Sequence, residues 1–116
     1  MGRIGIGELL LKLEELKDMA AATFGTMVKA VVDVDRELLA VDAELHSDLE
    51  ALLLEDGSKQ GDLWGINFYP ELSGDDFVEF DSMINVRPSQ GNRSRGVENL
   101  ELRKQIVAVV AKKVAK

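Results

Sequence analysis

Three arginines, Arg87, Arg93 and Arg95, crowd one short stretch of an otherwise acidic chain. Each guanidinium offers paired N–H donors whose fork matches a carboxylate or a phosphate. Ser89, Gln90 and Asn92 add neutral donors and acceptors between them, and Gly91 and Gly96 allow close backbone approach. No acidic residue occurs from Ser82 to Val97, although Asp and Glu make up 21 of the 116 residues and the formal net charge is -7. The stretch also runs into a predicted helix N-terminus, where free N–H groups and the helix dipole favour an anion. These features predict a site for a small anionic ligand bearing phosphate or carboxylate. The competing expectation is that the arginines pair with the chain's own carboxylates, such as Asp81 or Glu98, and staple a long loop.

Upstream, "LWGINFY" and "DFVEFDSMINVR" read as two strands joined by the turn-rich Pro70–Asp75 segment. Regular alternation would put Asn67, Asp81, Asn85 and Arg87 on one sheet face, beside the arginine loop. Asparagine is a poor strand former, so Asn67 and Asn85 at strand ends suggest a specific hydrogen-bonding task. That task is either to orient a ligand or to tie down the loop through its backbone. The expected ligand-binding set is therefore Arg87, Arg93 and Arg95 for charge, with Asn67, Asn85, Ser89, Gln90, Asn92 and Asp81 around them.

A second cluster is "ELHSDLE", in which Glu44, His46, Asp48 and Glu50 alternate. On one strand they could converge on a divalent metal. Ser47 and Glu50, however, have capping-box spacing, which would start a helix inside the motif and turn Asp48 and Glu50 away. A reduced set of Asp33, Asp42, Glu44 and His46 is left, read as a solvated face with an exposed histidine, and no metal is expected. His46 is the sole histidine, hence with Asp81 the residue to test for proton transfer if the protein is an enzyme. The sequence leaves that question open, along with any cofactor.

The chain lacks P-loop, zincin and nucleophile-elbow motifs, and "GIGELL" has neither the third glycine nor the preceding strand of a dinucleotide fingerprint. Its acidity disfavours nucleic acid as a partner, because phosphate contacts need a positive approach surface. Without cysteine there are no disulfides or thiolate sites, which points to a cytoplasmic setting. No signal peptide or run of bilayer length is read, so no membrane partner is expected.

The elements that must position these residues follow from periodicity. Leu9, Leu13, Leu16, Ala20 and Phe24 form a helical stripe ended by Gly25. Val28, Ala30, Val32 and Val34 alternate, and Leu39, Val41, Ala43 and Leu45 can pair with them across a turn at Asp35–Glu37. A short helix follows to Gly57. After the second hairpin, a helix from about Leu100 is capped by Asn99, with Leu102, Ile106, Val107, Val110 and Val114 as its apolar stripe. The prediction is one α+β domain over residues 1–116: helix-β-β-helix-β-β-helix, with a four-stranded, mostly antiparallel sheet. Its helices are expected on one face, leaving the other polar.

The segments "ELHSDLEALLLEDGSKQGDLWGINFYP" and "EFDSMINVRPSQGNRSRGVE" resemble a family of small archaeal and bacterial proteins of unknown function, and the resemblance covers most of the chain. Asp42–Ala43 lies where members often carry glycines, and Leu100 where they often carry proline. The resemblance carries no catalytic residue. It implies that the distinctive positions gather around the second hairpin and its arginine loop. Two functions compete: binding of a small anion by residues 87–96, or a structural and interaction module, homodimeric through that same loop and the polar sheet face.

Overall fold

A computed structural model describes the backbone of residues 3–5 and all of residues 11–115. In chain order the elements are β1 (Arg3–Gly5), β2 (Leu11–Lys12), α1 (Leu13–Ala22), β3 (Val28–Asp33), β4 (Leu38–Val41), α2 (His46–Glu55), β5 (Leu63–Phe68), β6 (Val78–Glu79), α3 (Leu100–Lys113) and β7 (Val114–Ala115). One sheet runs β1-β4-β3-β5-β6 with every neighbouring pair antiparallel, and β2 pairs with β7 in a small parallel sheet. The fold is thus α+β, with the expected order of three helices and two hairpins. Arg3–Gly5 adds a fifth strand beside β4 that periodicity did not predict.

Alternation along the strands divides the core in two. Val28, Ala30 and Val32 of β3, Leu39 and Val41 of β4, and Trp64, Ile66 and Phe68 of β5 share one apolar cluster with Leu16 and Met19 of α1 and Ile106 and Val109 of α3. Val31, Leu38, Ala40 and Leu63 point the opposite way and meet Leu49 and Leu53 of α2. The expectation of helices on one face is therefore corrected: α1 and α3 cover one side and α2 the other. The supposed polar face is mostly apolar beneath α2. Each fully buried leucine there contributes on the order of 2 kcal/mol of transfer free energy.

Three boundaries differ from those predicted, each for a local reason. Residues 8–10 and Leu9 with them lie outside the described residues; α1 begins at Leu13, and Phe24 lies exposed beyond its end. The strand expected to reach Leu45 stops at Val41, because Asp42 takes φ +74, a left-handed conformation that breaks the pleat. α2 starts at His46 with Leu45 at its cap, and no side chain caps it, so the Ser47–Glu50 capping box does not form. At α3 the Asn99 cap holds: Asn99 Oδ1 accepts from the Leu102 N–H at 3.1 Å. Val109 replaces Val107 in that helix's buried stripe, and Val107 is exposed. Among the described residues, no helix is long and apolar enough to cross a membrane.

Candidate functional site

The second arm of the second hairpin is a strand only at Val78–Glu79; from Ser82 to Gln90 the chain makes two short 3-10 turns, Met83–Asn85 and Pro88–Gln90. The alternation of Ser82, Ile84 and Val86 with Met83, Asn85 and Arg87 therefore does not describe a strand. β6 pairs with β5 only at Asn67 and Phe68, which would leave the edge of β5 bare at Gly65. The Asn85 side chain fills that gap. Its Oδ1 accepts from the Gly65 N–H at 2.8 Å and its Nδ2 donates to the Gly65 carbonyl at 2.9 Å, as the backbone of a neighbouring strand would. Nδ2 also donates to the Arg95 carbonyl at 2.9 Å, tying the far side of the loop to the same point. Gly65 has to be glycine here, since a Cβ on it would lie 2.5 Å from the Ser82 Cβ.

Asn92 is the second knot. Its Nδ2 donates to the carbonyls of Asn85 (2.7 Å) and Gly96 (2.8 Å), with Ser94 a longer third at 3.2 Å, and its Oδ1 accepts from the Glu98 N–H at 2.9 Å. Backbone bonds between Arg87 and Asn92 close the intervening turn, in which Gly91 takes φ +80. Both asparagines thus perform the loop-tying task, and both are buried. Asn67 does the same nearer the sheet: its Nδ2 donates to Glu79 Oε1 at 2.9 Å and to the Asp81 carbonyl at 3.2 Å.

The three arginines have different fates. Arg87 turns inward, with 10% of its side chain exposed. Its Nε donates to the Ile84 carbonyl at 2.9 Å, one terminal nitrogen donates to the Leu63 carbonyl, and the other to Gln90 Oε1 at 3.4 Å. The guanidinium also stacks over the Trp64 ring, 4.6 Å from its centroid. Desolvation pulls the Arg87 pKa down and the nearby Glu50 charge draws it partly back, so it stays a cation. Glu50 Oε2 is 3.7 Å from the guanidinium and buried without a hydrogen bond; their attraction is Coulombic rather than a formed bidentate pair. Arg95 lies at the surface, its Nε donating to Asp81 Oδ1 at 2.6 Å. Arg93 is exposed, with the charge of Glu98 acting on it. Glu98 itself accepts the backbone N–H groups of Arg93 (2.7 Å) and Ser94 (2.8 Å), bonds that hold its carboxyl below the usual range.

The predicted set is therefore brought together, but mainly to bond itself. Arg87, Asn85, Asn92, Asn67 and Gln90 are engaged within the chain, Asp81 neutralises Arg95, and Ser89 is exposed on the turn. Sequence reasoning missed Glu50, Gly65 and Trp64, all partners of this loop. A glycine inside an apolar strand was the one available signal, since it marks close approach of another chain segment. His46 is also corrected. It is buried rather than solvated, with Nε2 2.8 Å from the Ile66 carbonyl, which fixes the proton on Nε2. Burial, assisted by Lys29, lowers its pKa more than the Ile66 carbonyl, Asn67 and Asp81 raise it. Asp33 is buried in the first hairpin's turn, accepting from the N–H groups of Asp35 and Arg36 and from Ser58. Among the described residues no cluster of histidine and carboxylates could hold a metal.

A family model described as "Protein of unknown function (DUF5674)" matches residues 8–113. The chain belongs to that family. The match runs from just before α1 to the end of α3, so it takes in the stapled loop and every partner named for it. No curated protein and no solved structure matches the chain.

Proposed function

We propose that this family member is an interaction module whose contact surface is the stapled loop from Ser82 to Arg95, and that its partner is a second copy of the chain. One observation carries the reading: the loop leaves two apolar side chains outside while burying three polar ones. Its polar Ser82, Asn85 and Asn92 are buried, while Met83 is 65% exposed and Val86 37%. An ordinary surface loop would bury the apolar pair and solvate the rest. Exposed methionine and arginine on a rigid frame are the residue types enriched at protein interfaces. Charge supports self-association at this place. A surface of net charge -7 repels its copy, but between Asp81 and Glu98 the only charges are Arg87, Arg93 and Arg95 against those two acids. Repulsion between copies is least there. The lack of cysteine fits a cytoplasmic setting for such a module.

Light scattering on purified protein tests this. The expected mass is twice 12.8 kDa, falling to the monomer in Met83→Asp with the circular dichroism spectrum retained. A monomer at every concentration would sink the reading. Anion binding is the second reading, favoured by the exposed guanidiniums of Arg93 and Arg95. It predicts thermal stabilisation by inorganic phosphate or citrate that disappears in the Arg93→Ala, Arg95→Ala double variant, with no change in mass.

A further inference from the structure

Away from the loop surface, a cavity of about 740 Å³ opens between α3 and the β6 edge of the sheet. Phe77, Val78 and Phe80 form one wall, and Val107, Val110 and Val114 the other. Its volume falls in the range of small-molecule sites, and its walls are apolar as such sites are. Two charged residues line it, Arg103 and Asp75. Arg103 stacks over Phe80 at 4.8 Å and its Nε donates to the Val97 carbonyl, which fixes the guanidinium at that end. Among the described residues it forms no ion pair, so its terminal N–H groups are available to a ligand. The chain from Phe80 back through β6 to the 3-10 turn at Asp75, and the helix from Arg103 to Val114, both lead away from the Arg103–Phe80 contact. From Arg103 to Val114 the helix advances roughly 16 Å.

We propose that this cleft binds a free amphipathic monoacid: an elongated apolar body with one carboxylate, the acid held by Arg103 and the body lying between α3 and the Phe77–Phe80 wall. A charged hydrogen bond to guanidinium supplies the head-group preference. Asp75 supplies the discrimination, because a second acid at the far end would meet a like charge.

Titration calorimetry with decanoate, below its micelle concentration, is the test. One decanoate per chain is expected, with decan-1-ol and decanedioate each about tenfold weaker, the size of one charged hydrogen bond. Arg103→Gln should weaken decanoate about tenfold and leave decan-1-ol unchanged. Ala111→Trp, which fills the cleft from an exposed position, should abolish binding of all three with the circular dichroism spectrum retained. Absence of saturable decanoate heat would overturn the proposal, as would equal affinity for decanedioate or no response to Arg103→Gln. Arg103-dependent binding to phosphatidylglycerol vesicles without binding of free decanoate would also overturn it, by assigning the cleft to a membrane surface.

Discussion

At the scale of single residues, Asn85 decides whether the loop exists. Among the described residues it is the only side chain that pairs with both backbone groups of Gly65, and it is completely buried. Asn85→Ala would leave the buried N–H and carbonyl of Gly65 without partners, while the Arg95 carbonyl would keep its bond from the Ser82 N–H. Each unsatisfied buried group costs roughly 1–3 kcal/mol, so the variant should lose about 2–6 kcal/mol of stability. Arg95→Ala removes a pair that is short but exposed and should cost under about 1 kcal/mol. Urea unfolding followed by Trp64 fluorescence compares the two; equal losses would show that Asn85 is not the keystone. Residue type alone indicated that the asparagines and arginines had particular tasks. It could not tell inward from outward, because a guanidinium that grips a ligand and one that grips a carbonyl use the same donors.

Among elements, the legible ones were those whose pattern and punctuation agree. β3, β4 and β5 alternate cleanly, Gly25 and Gly57 end α1 and α2 at positive φ, and Asn99 caps α3. The 82–90 segment misled because its polarity alternates as a strand's would, while its hydrogen bonds come from a side chain instead of a ladder. α2 misled differently. Its leucines were visible, but which sheet face they cover depends on how the chain leaves β4. That exit is Asp42, whose φ of +74 turns the chain toward α2. A left-handed non-glycine residue is held at a cost of about 1 kcal/mol or more, though Asp tolerates it better than most. Asp42→Gly relieves that strain while adding chain entropy to the unfolded state, and these offset to within roughly 0.5 kcal/mol. Asp42→Val cannot adopt the conformation easily and should lose about 1–2 kcal/mol more than Asp42→Gly. Thermal melts of the three proteins check the order; a valine variant as stable as wild type would show that this exit is not fixed.

For the whole molecule, the two apolar clusters share one sheet, so acid titration should report on the fold as a unit. His46 is the sole histidine and the chain has no cysteine, so it is the side chain whose ordinary pKa lies nearest the window between about pH 5.5 and 6.5. In the unfolded chain it protonates near its ordinary value of about 6.5. In the folded protein, burial holds it neutral to lower pH. The unfolded state thus binds more protons across this window, and linkage requires stability to fall as pH falls through it, by at most about 1.4 kcal/mol per pH unit. The loss should stop growing once the pH passes below the folded-state pKa. His46→Gln, which can still donate to the Ile66 carbonyl, should flatten the slope between pH 6.5 and 5.5 while keeping the later carboxylate transition. A wild-type stability that is flat, or that rises on acidification in this window, would contradict a neutral buried imidazole. It would instead show that the Ile66 carbonyl, Asn67 and Asp81 together outweigh desolvation at this site.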